Sequence, residues 1–498
     1  MPSAVVIGAG IGGLSAAALL AQAGWDVTVL EAHVYPGGCA GTFFHRDYRF
    51  DAGATLVGGF DPGGPHERLG ALLGLSWPVE RVDPAWVTHL PDRAITQWAS
   101  RPAWHDERRA AFTGAEAFWL AQERLAATAW SLSARGLPWP PESLEDWIRL
   151  ARAVRPDVIA AAPQAFRTVR DLAGPAWRDP ALRAFLDSQL LISAQTTAAH
   201  ANALYGSAAL DLPRRGVNQV QGGVGGLAAT LVNWLRKRGA QVLTRQRVAS
   251  ILVRNGRAIG VQTIRGLTAE ADVVIGNLTP WALARLLGDA APAGLIRETD
   301  LRAPTWGAFM VYLGVAETAV AGTPGHHQVV VDPGRPLGEG NSIFISVSGP
   351  GETGRAPTGA RAVTLSTHTA IAPWVRLKRE DPGEYQRQKD RYSQRMIQGA
   401  TRALPELAQA IRFRLTASPA TFERFTGRPG GMVGGFAQTS LWSARGPGTG
   451  VRGLWLVGDS IFPGQSTASV TLGALRVAGA ILAGAEKRTV PLVHGAVR

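Results

Sequence analysis

The chain has 498 residues, 46% of them hydrophobic and 18% charged, with a formal net charge of +13. That balance excludes an intrinsically disordered chain, and the length exceeds what one compact core accommodates, so two intimately joined domains are expected. All but four of the 51 basic residues are arginines, scattered without a dense tract or a nucleic-acid-binding motif. Nucleic acid is therefore not expected as a partner; an anionic membrane surface or GC-rich coding accounts for the excess. Cys39 is the only cysteine, which excludes an internal disulfide and a cysteine-based metal site and fits a cytoplasmic, reducing compartment.

Ala4-Val5-Val6-Ile7 reads as a buried parallel strand. Gly8-Ala9-Gly10-Ile11-Gly12-Gly13 follows at once, then an alanine- and leucine-rich helix over residues 14–23, a second strand over 27–30, and Glu31. This is a βαβ start carrying G-x-G-x-x-G. Gly8 permits the tight turn, Gly10 leaves room for a pyrophosphate, and Gly13 lets helix and strand pack closely. The helix start at Ile11-Gly12 offers free N–H groups to the anion. The Glu31 carboxylate can accept hydrogen bonds from ribose hydroxyls and would repel a 2′-phosphate, which disfavours NADP. Residues 4–25 form an uncharged run long enough to cross a bilayer. The glycines and the missing basic flank argue instead for strand, phosphate turn and buried helix.

A second glycine cluster, Pro36-Gly37-Gly38-Cys39-Ala40-Gly41-Thr42, lies just beyond the second strand, and Phe50-Asp51-Ala52-Gly53-Ala54-Thr55 follows. Residues 105–205 read as mainly helical. Within them 142–172 is amphipathic in places, with Trp147, Leu150 and Val154 on one face and Arg149, Arg152 and Arg155 beside it. Such a helix packs on the protein's own core or lies on a membrane surface. Gly222-Gly223-Val224-Gly225-Gly226 opens a helix over 227–238, whose Leu227, Leu231 and Leu235 share a stripe. Strands are expected over 241–244, 248–253, 258–262 and 271–275, with Asn255-Gly256 as a hairpin turn. Three more are expected over 308–313, 342–347 and 362–367, then a polar helix over 382–403. The chain closes on a strand over 453–457, Gly458-Asp459, and a helix over 469–485.

These strings resemble the phytoene desaturase/amine oxidase superfamily of flavoproteins: G-x-G-x-x-G, an acid, a Gly-Gly turn and an F-D-x-G segment. Gly453-Leu-Trp-Leu-Val-Gly458-Asp459-Ser460-Ile-Phe-Pro463-Gly464 resembles the last FAD motif of that superfamily. The resemblance implies an α/β fold, a Rossmann-like FAD-binding domain with an interleaved substrate domain of mixed sheet and helices. The expected segments are 1–75, 215–295 and 445–498 for the FAD domain, 76–214 for a helical, membrane-facing region, and 296–444 for a mixed substrate domain. It implies FAD held by Gly8, Gly10, Ile11, Gly12, Gly13, Glu31, Gly37, Gly38, Cys39 and Thr55 at the N-terminal end. Val248 would meet the adenine through its backbone, Asp459 the ribityl or phosphate region, and Ser469-Val470 the flavin. Gly223-x-Gly225 could pass for a second nucleotide turn, but no acid follows it; it reads as a turn leading back into the FAD domain.

Within the superfamily the chain is similar to carotenoid desaturases. Phe185-Leu-Asp187-Ser-Gln-Leu190, Ala203-Leu-Tyr-Gly206 and the C-terminal string resemble C-3′,4′ desaturases, and the Gly-Gly-Cys-Ala-Gly-Thr turn is similar to carotene isomerases as well. Phytoene desaturases usually carry an arginine where Cys39 stands. The resemblance implies a membrane-dissolved carotenoid as substrate, hydride transfer to flavin N5, oxygen or a quinone as electron acceptor, and a cytoplasmic enzyme peripherally attached to a membrane. No metal is expected. Asp187 is a candidate proton acceptor, with a structural carboxylate as the alternative. The rival readings are a carotene cis–trans isomerase using reduced FAD, an amine oxidase with a lysine near the flavin, and a non-catalytic lipid-binding escort.

Overall fold

The computed structural model describes residues 1–489 except 305 and 353. Residues 490–498, assigned above to the third segment of the nucleotide domain, lie outside the described residues. A five-stranded parallel sheet runs in the order Leu454–Leu456, Val273–Gly276, Ser3–Ile7, Asp26–Leu30, Gln241–Leu243. Its strands thus come from both ends of the chain and from the middle. The central strands are buried hydrophobic runs, covered by helix Ile11–Gln22 on Ser3–Ile7 and Asp26–Leu30 and by strand Arg257–Thr263 of a three-stranded antiparallel sheet on Val273–Gly276. Helix Ile11–Gln22 packs against helices Gly225–Lys237 and Thr467–Thr489. Leu227, Leu231 and Leu235 point into that core, as their spacing predicts.

The hairpin expected at Asn255-Gly256 joins Val248–Arg254 to Arg257–Thr263, with φ of 50° and 69° at the two turn residues. A second, eight-stranded sheet runs Ile411–Ala417, Trp306–Ala316, Ala360–Thr369, Ser342–Val347, His326–Val330, Trp86–His89, Ala94–Gln97, with Met432–Val433 added beside Trp306–Ala316. The hairpin at 86–97 went unread in the sequence because its strands are four residues each, too short to show a period.

The amphipathic stretch 142–172 is a series of short helices, beginning with Leu144–Arg152 and Pro156–Ala161. The first is set by a capping box between Ser143 and Asp146, and by Arg149 and Arg152 in its last turn. It buries none of its own residues. Residues 4–25 are the strand, turn and buried helix read above. One described helix has the length and composition to cross a membrane, over residues 467–484; half of that stretch is buried.

Candidate active site

The two N-terminal glycine turns are built against each other. The Gly37 N–H donates to the Ala9 carbonyl at 2.7 Å, with Gly37 at a φ of 110°. The Ala9 N–H donates to Glu31 Oε2 at 2.7 Å, and the His33 N–H to Oε1 at 2.8 Å, so the Glu31 carboxylate is fixed at the strand end. The last glycine motif closes on the same place. A Cβ on Gly12 would stand 3.0 Å from the Gly458 nitrogen. Asn277 sits between these turns: its Nδ2 would lie 2.3 Å from a Cβ on Gly10, and its Oδ1 2.6 Å from one on Gly458. The sequence reading missed Asn277; its only local signal is its place directly after the strand Val273–Gly276.

These turns line one end of a continuous cavity of about 1280 Å³. Gly8, Gly10, Ile11, Gly12, Glu31, Gly37, Gly38, Cys39, Thr55, Val248, Gly458, Asp459, Ser469 and Val470 all face it. Gly13 does not, and serves packing: a Cβ there would meet the Gly8 carbonyl oxygen at 2.4 Å. The cavity exceeds the roughly 300–1,000 Å³ of a pocket for one small ligand. It has room for a dinucleotide and a second, long molecule. A dinucleotide fits the residues at the glycine end, where Gln246 beside Val248 presents a buried Oε1 without a partner among the described residues.

Gly223-x-Gly225 holds no phosphate cradle. A Cβ on Gly223 would lie 2.0 Å from Arg355 Nη1, 2.5 Å from Asp51 Oδ1 and 2.6 Å from Thr42 Oγ1. The turn is filled by side chains that bind it to the F-D-x-G segment.

Asp459, assigned by resemblance to the cofactor, also holds a residue the motif did not contain. Arg428 Nη2 donates to both its carboxylate oxygens, at 2.6 and 2.7 Å, and Nη1 donates to the Gly434 carbonyl at 3.0 Å. Burial pushes the Cys39 thiol above its ordinary value, against the pull of Arg428. It is a thiol, not a thiolate, and brings no nucleophile to the site.

Beyond the glycines the cavity continues between the helices and the eight-stranded sheet. One arm is walled by Trp130, Leu137, Trp139, Leu150, Val158 and Leu204 and opens beside Trp147, Phe166 and Trp442. The wall toward the eight-stranded sheet is mixed: Trp86, Ala308, Met310 and Phe344 line it beside the polar Gln97, Ser342, Ser366 and His368, with Gln189 and Gln195 facing them from helix Pro180–Ala194 and its end. Gln189 accepts from Trp86 Nε1 (3.1 Å) and Gln97 Nε2 (3.0 Å) and donates to Gln328 (2.7 Å). Gln195 is held at a φ of 56°; its Nε2 lies 3.3 Å from His368 Nε2, and its Oε1 is buried without a partner among the described residues.

The acids on this lining are Glu31 and Asp459; Asp187 is absent from it. Asp187 Oδ1 accepts the Ala198 N–H at 2.7 Å, and burial raises its pKa. It is a structural carboxylate, which corrects the proton-acceptor reading. Its neighbours Ser188 and Gln189 turn toward the sheet, where Gln328 donates to the Ser188 carbonyl.

Fold and cavity together define a Rossmann-type oxidoreductase that holds a nucleotide cofactor beside a large, mainly apolar cavity. A family model described as an NAD(P)-binding Rossmann-like domain matches residues 6–71. Chloroplastic prolycopene isomerase of Arabidopsis thaliana is 30% identical over 98% of this chain and 84% of that protein. Hydroxyneurosporene desaturase of Cereibacter sphaeroides is 28% identical over 98% of this chain and 99% of that protein. The chain belongs to the carotenoid desaturase/isomerase family and is an enzyme of that family. Among solved structures, an oxidoreductase from Methanosarcina mazei superposes with a TM-score of 0.65 at 19% identity, over 95% of this chain and 99% of that one. A putrescine oxidase variant gives 0.64 at 14%, over 97% and 99%. These two likenesses are of fold.

Proposed function

We propose that the enzyme is an FAD-dependent carotenoid desaturase that introduces a C-3′,4′ double bond into an acyclic polyene. The observation that carries this reading is the single cavity joining a dinucleotide end to a long arm walled by aromatic and aliphatic side chains. Desaturation removes a hydride and a proton from adjacent carbons. FAD, when bound, supplies the hydride acceptor, and oxygen or a quinone takes the electrons onward. The chain supplies orientation and a dry, apolar wall. The polar groups at Gln195 and His368 suit a polyene end bearing a hydroxyl, since Gln195 Oε1, unpartnered among the described residues, can accept a hydrogen bond from it. The desaturase relative, named for a hydroxylated substrate and matched over 99% of its length, supports the same choice. No lysine lines the cavity among the described residues, which weighs against amine oxidation.

A second reading, cis–trans isomerisation without net oxidation, is favoured by the Arabidopsis relative. Incubation with liposomal acyclic carotenoids, with and without a terminal hydroxyl, separates the two. Chromatography with absorption spectra is expected to show red-shifted products, formed faster from the hydroxylated substrate. Products with unchanged double-bond number but altered geometry would establish the isomerase. Oxidation of amines alone would overturn both.

The enzyme is further proposed to work in the cytoplasm, docked on a membrane at the mouth of the apolar arm. Leu144, Trp147, Ile148, Val154, Ile159, Phe166 and Trp442 are exposed there, with Arg149, Arg152 and Arg155 beside them. Aromatic and arginine side chains suit the lipid interface. Replacing Trp147 and Trp442 together by glutamate is expected to weaken binding to phosphatidylglycerol-containing vesicles by about tenfold or more. Co-sedimentation equal to the unaltered protein would refute this docking face.

A further inference from the structure

The first lysine or arginine in the sequence is Arg46. Both N-terminal glycine turns, and the helix start between them, are therefore made of chain without a cation. The acids beside the same half of the cavity, Glu31 and Asp459, add negative charge to a place shaped for a diphosphate. Backbone N–H groups and a helix terminus offset part of that charge. A further cation has to reach the site from another segment.

Arg428 is placed to be that cation. It faces the cavity at the junction of the Cys39 turn and the Gly458-Asp459 turn, with its side chain 18% exposed. It follows Gly427, which ends helix Pro419–Thr426 at a φ of 67°, so the segment arrives from beside the eight-stranded sheet and lies over the nucleotide end. Arg247 and Arg285 approach the same glycine, at 3.9 and 4.0 Å from a Cβ placed on Gly427, and both line the cavity. A guanidinium carries five N–H donors. Nη2 serves Asp459 and Nη1 serves Gly434, and donors remain for an anion.

We infer that Arg428 holds the cofactor's diphosphate, supplying from the far end of the chain the charge that the Cys39 turn lacks. Asp459 keeps the guanidinium aimed, and Arg428 in turn neutralises the carboxylate beside the bound anion. The Phe425–Arg428 segment thereby ties the two sheets together through the cofactor. The inference rests on the FAD reading.

The test is titration of the deflavinated full-length protein with FAD, followed by flavin fluorescence, and with ADP, which carries the diphosphate without the flavin. Arg428→Ala alone leaves Asp459 unpaired, so the informative comparison is the double Arg428→Ala, Asp459→Asn against Asp459→Asn: both lack the carboxylate, and only the double lacks the guanidinium. The double variant is expected to bind FAD and ADP about tenfold or more weaker than Asp459→Asn, the loss of a charge-assisted hydrogen bond. Two results overturn the inference: a double variant within about threefold of Asp459→Asn, or a loss for FAD without one for ADP. Failure of the unaltered apoprotein to bind FAD at all would remove the flavin reading, and the inference with it.

Discussion

Asp51→Ala is expected to lower stability by about 3–5 kcal/mol and to release the cofactor on purification. Asp51 is 3% exposed and Arg355 6%. Asp51 Oδ1 accepts from Thr42 Oγ1 at 2.6 Å, the Val224 N–H at 2.8 Å and Arg355 Nη1 at 3.1 Å; Oδ2 accepts from Arg355 Nη2 at 3.0 Å. Alanine strands a buried guanidinium and two further donors with nothing to accept them. These contacts join the F-D-x-G strand, the Gly223 turn and the Arg355 loop, so the damage spreads to the wall of the cavity. The pair itself need not be stabilising, because both charges were taken out of water to form it. Asp51→Leu combined with Arg355→Met is therefore expected to recover most of the loss. Urea unfolding of the three proteins, with flavin absorbance after gel filtration, decides the matter. A single variant within 1 kcal/mol of the parent would refute the assignment.

The same residues show where the sequence was readable and where it was not. The glycine strings, Glu31 and the Asn255-Gly256 hairpin are local: their meaning lies in backbone angles and spacings within a few residues. Phe50-Asp51-x-Gly was recognisable as a motif, yet its partner Arg355 stands 304 positions away and no pattern announces it. Asn277 and Arg428 are of this kind too. Asn277 comes to the glycine turns at the end of a strand of the five-stranded sheet, and Arg428 in the loop after helix Pro419–Thr426, each from a distant segment. Asp187 fails in the opposite direction. It stands in a family-like string, but the string serves its neighbour Gln189, while the carboxylate caps a backbone N–H. A motif fixes which stretch matters more firmly than which atom of it faces the substrate.

Acid is expected to unfold the enzyme through its buried histidines. Burial holds His66 and His326 in the neutral form, with pKa values lowered to about 3. His66 is 0% exposed and stacks on Phe60, and His326 is 2% exposed beside Ser346. Neither Nε2 has a partner among the described residues, so an added proton would find no acceptor. In the unfolded chain each histidine titrates near 6.5. Between pH 6.5 and 3 the unfolded state therefore binds protons that the native state refuses. Stability is complete above 6.5 and falls as the pH drops toward 3. At pH 5 each of the two costs about 2 kcal/mol, roughly 4 for the pair. The double variant His66→Gln, His326→Gln replaces both rings with side chains that do not titrate. It is expected to lose about 4 kcal/mol less than the parent between pH 7 and pH 5, measured by urea unfolding at each pH. Parallel losses in parent and variant would show that acid sensitivity resides elsewhere, in the carboxylates or in His89, His327 and His368, whose pKa values burial also lowers.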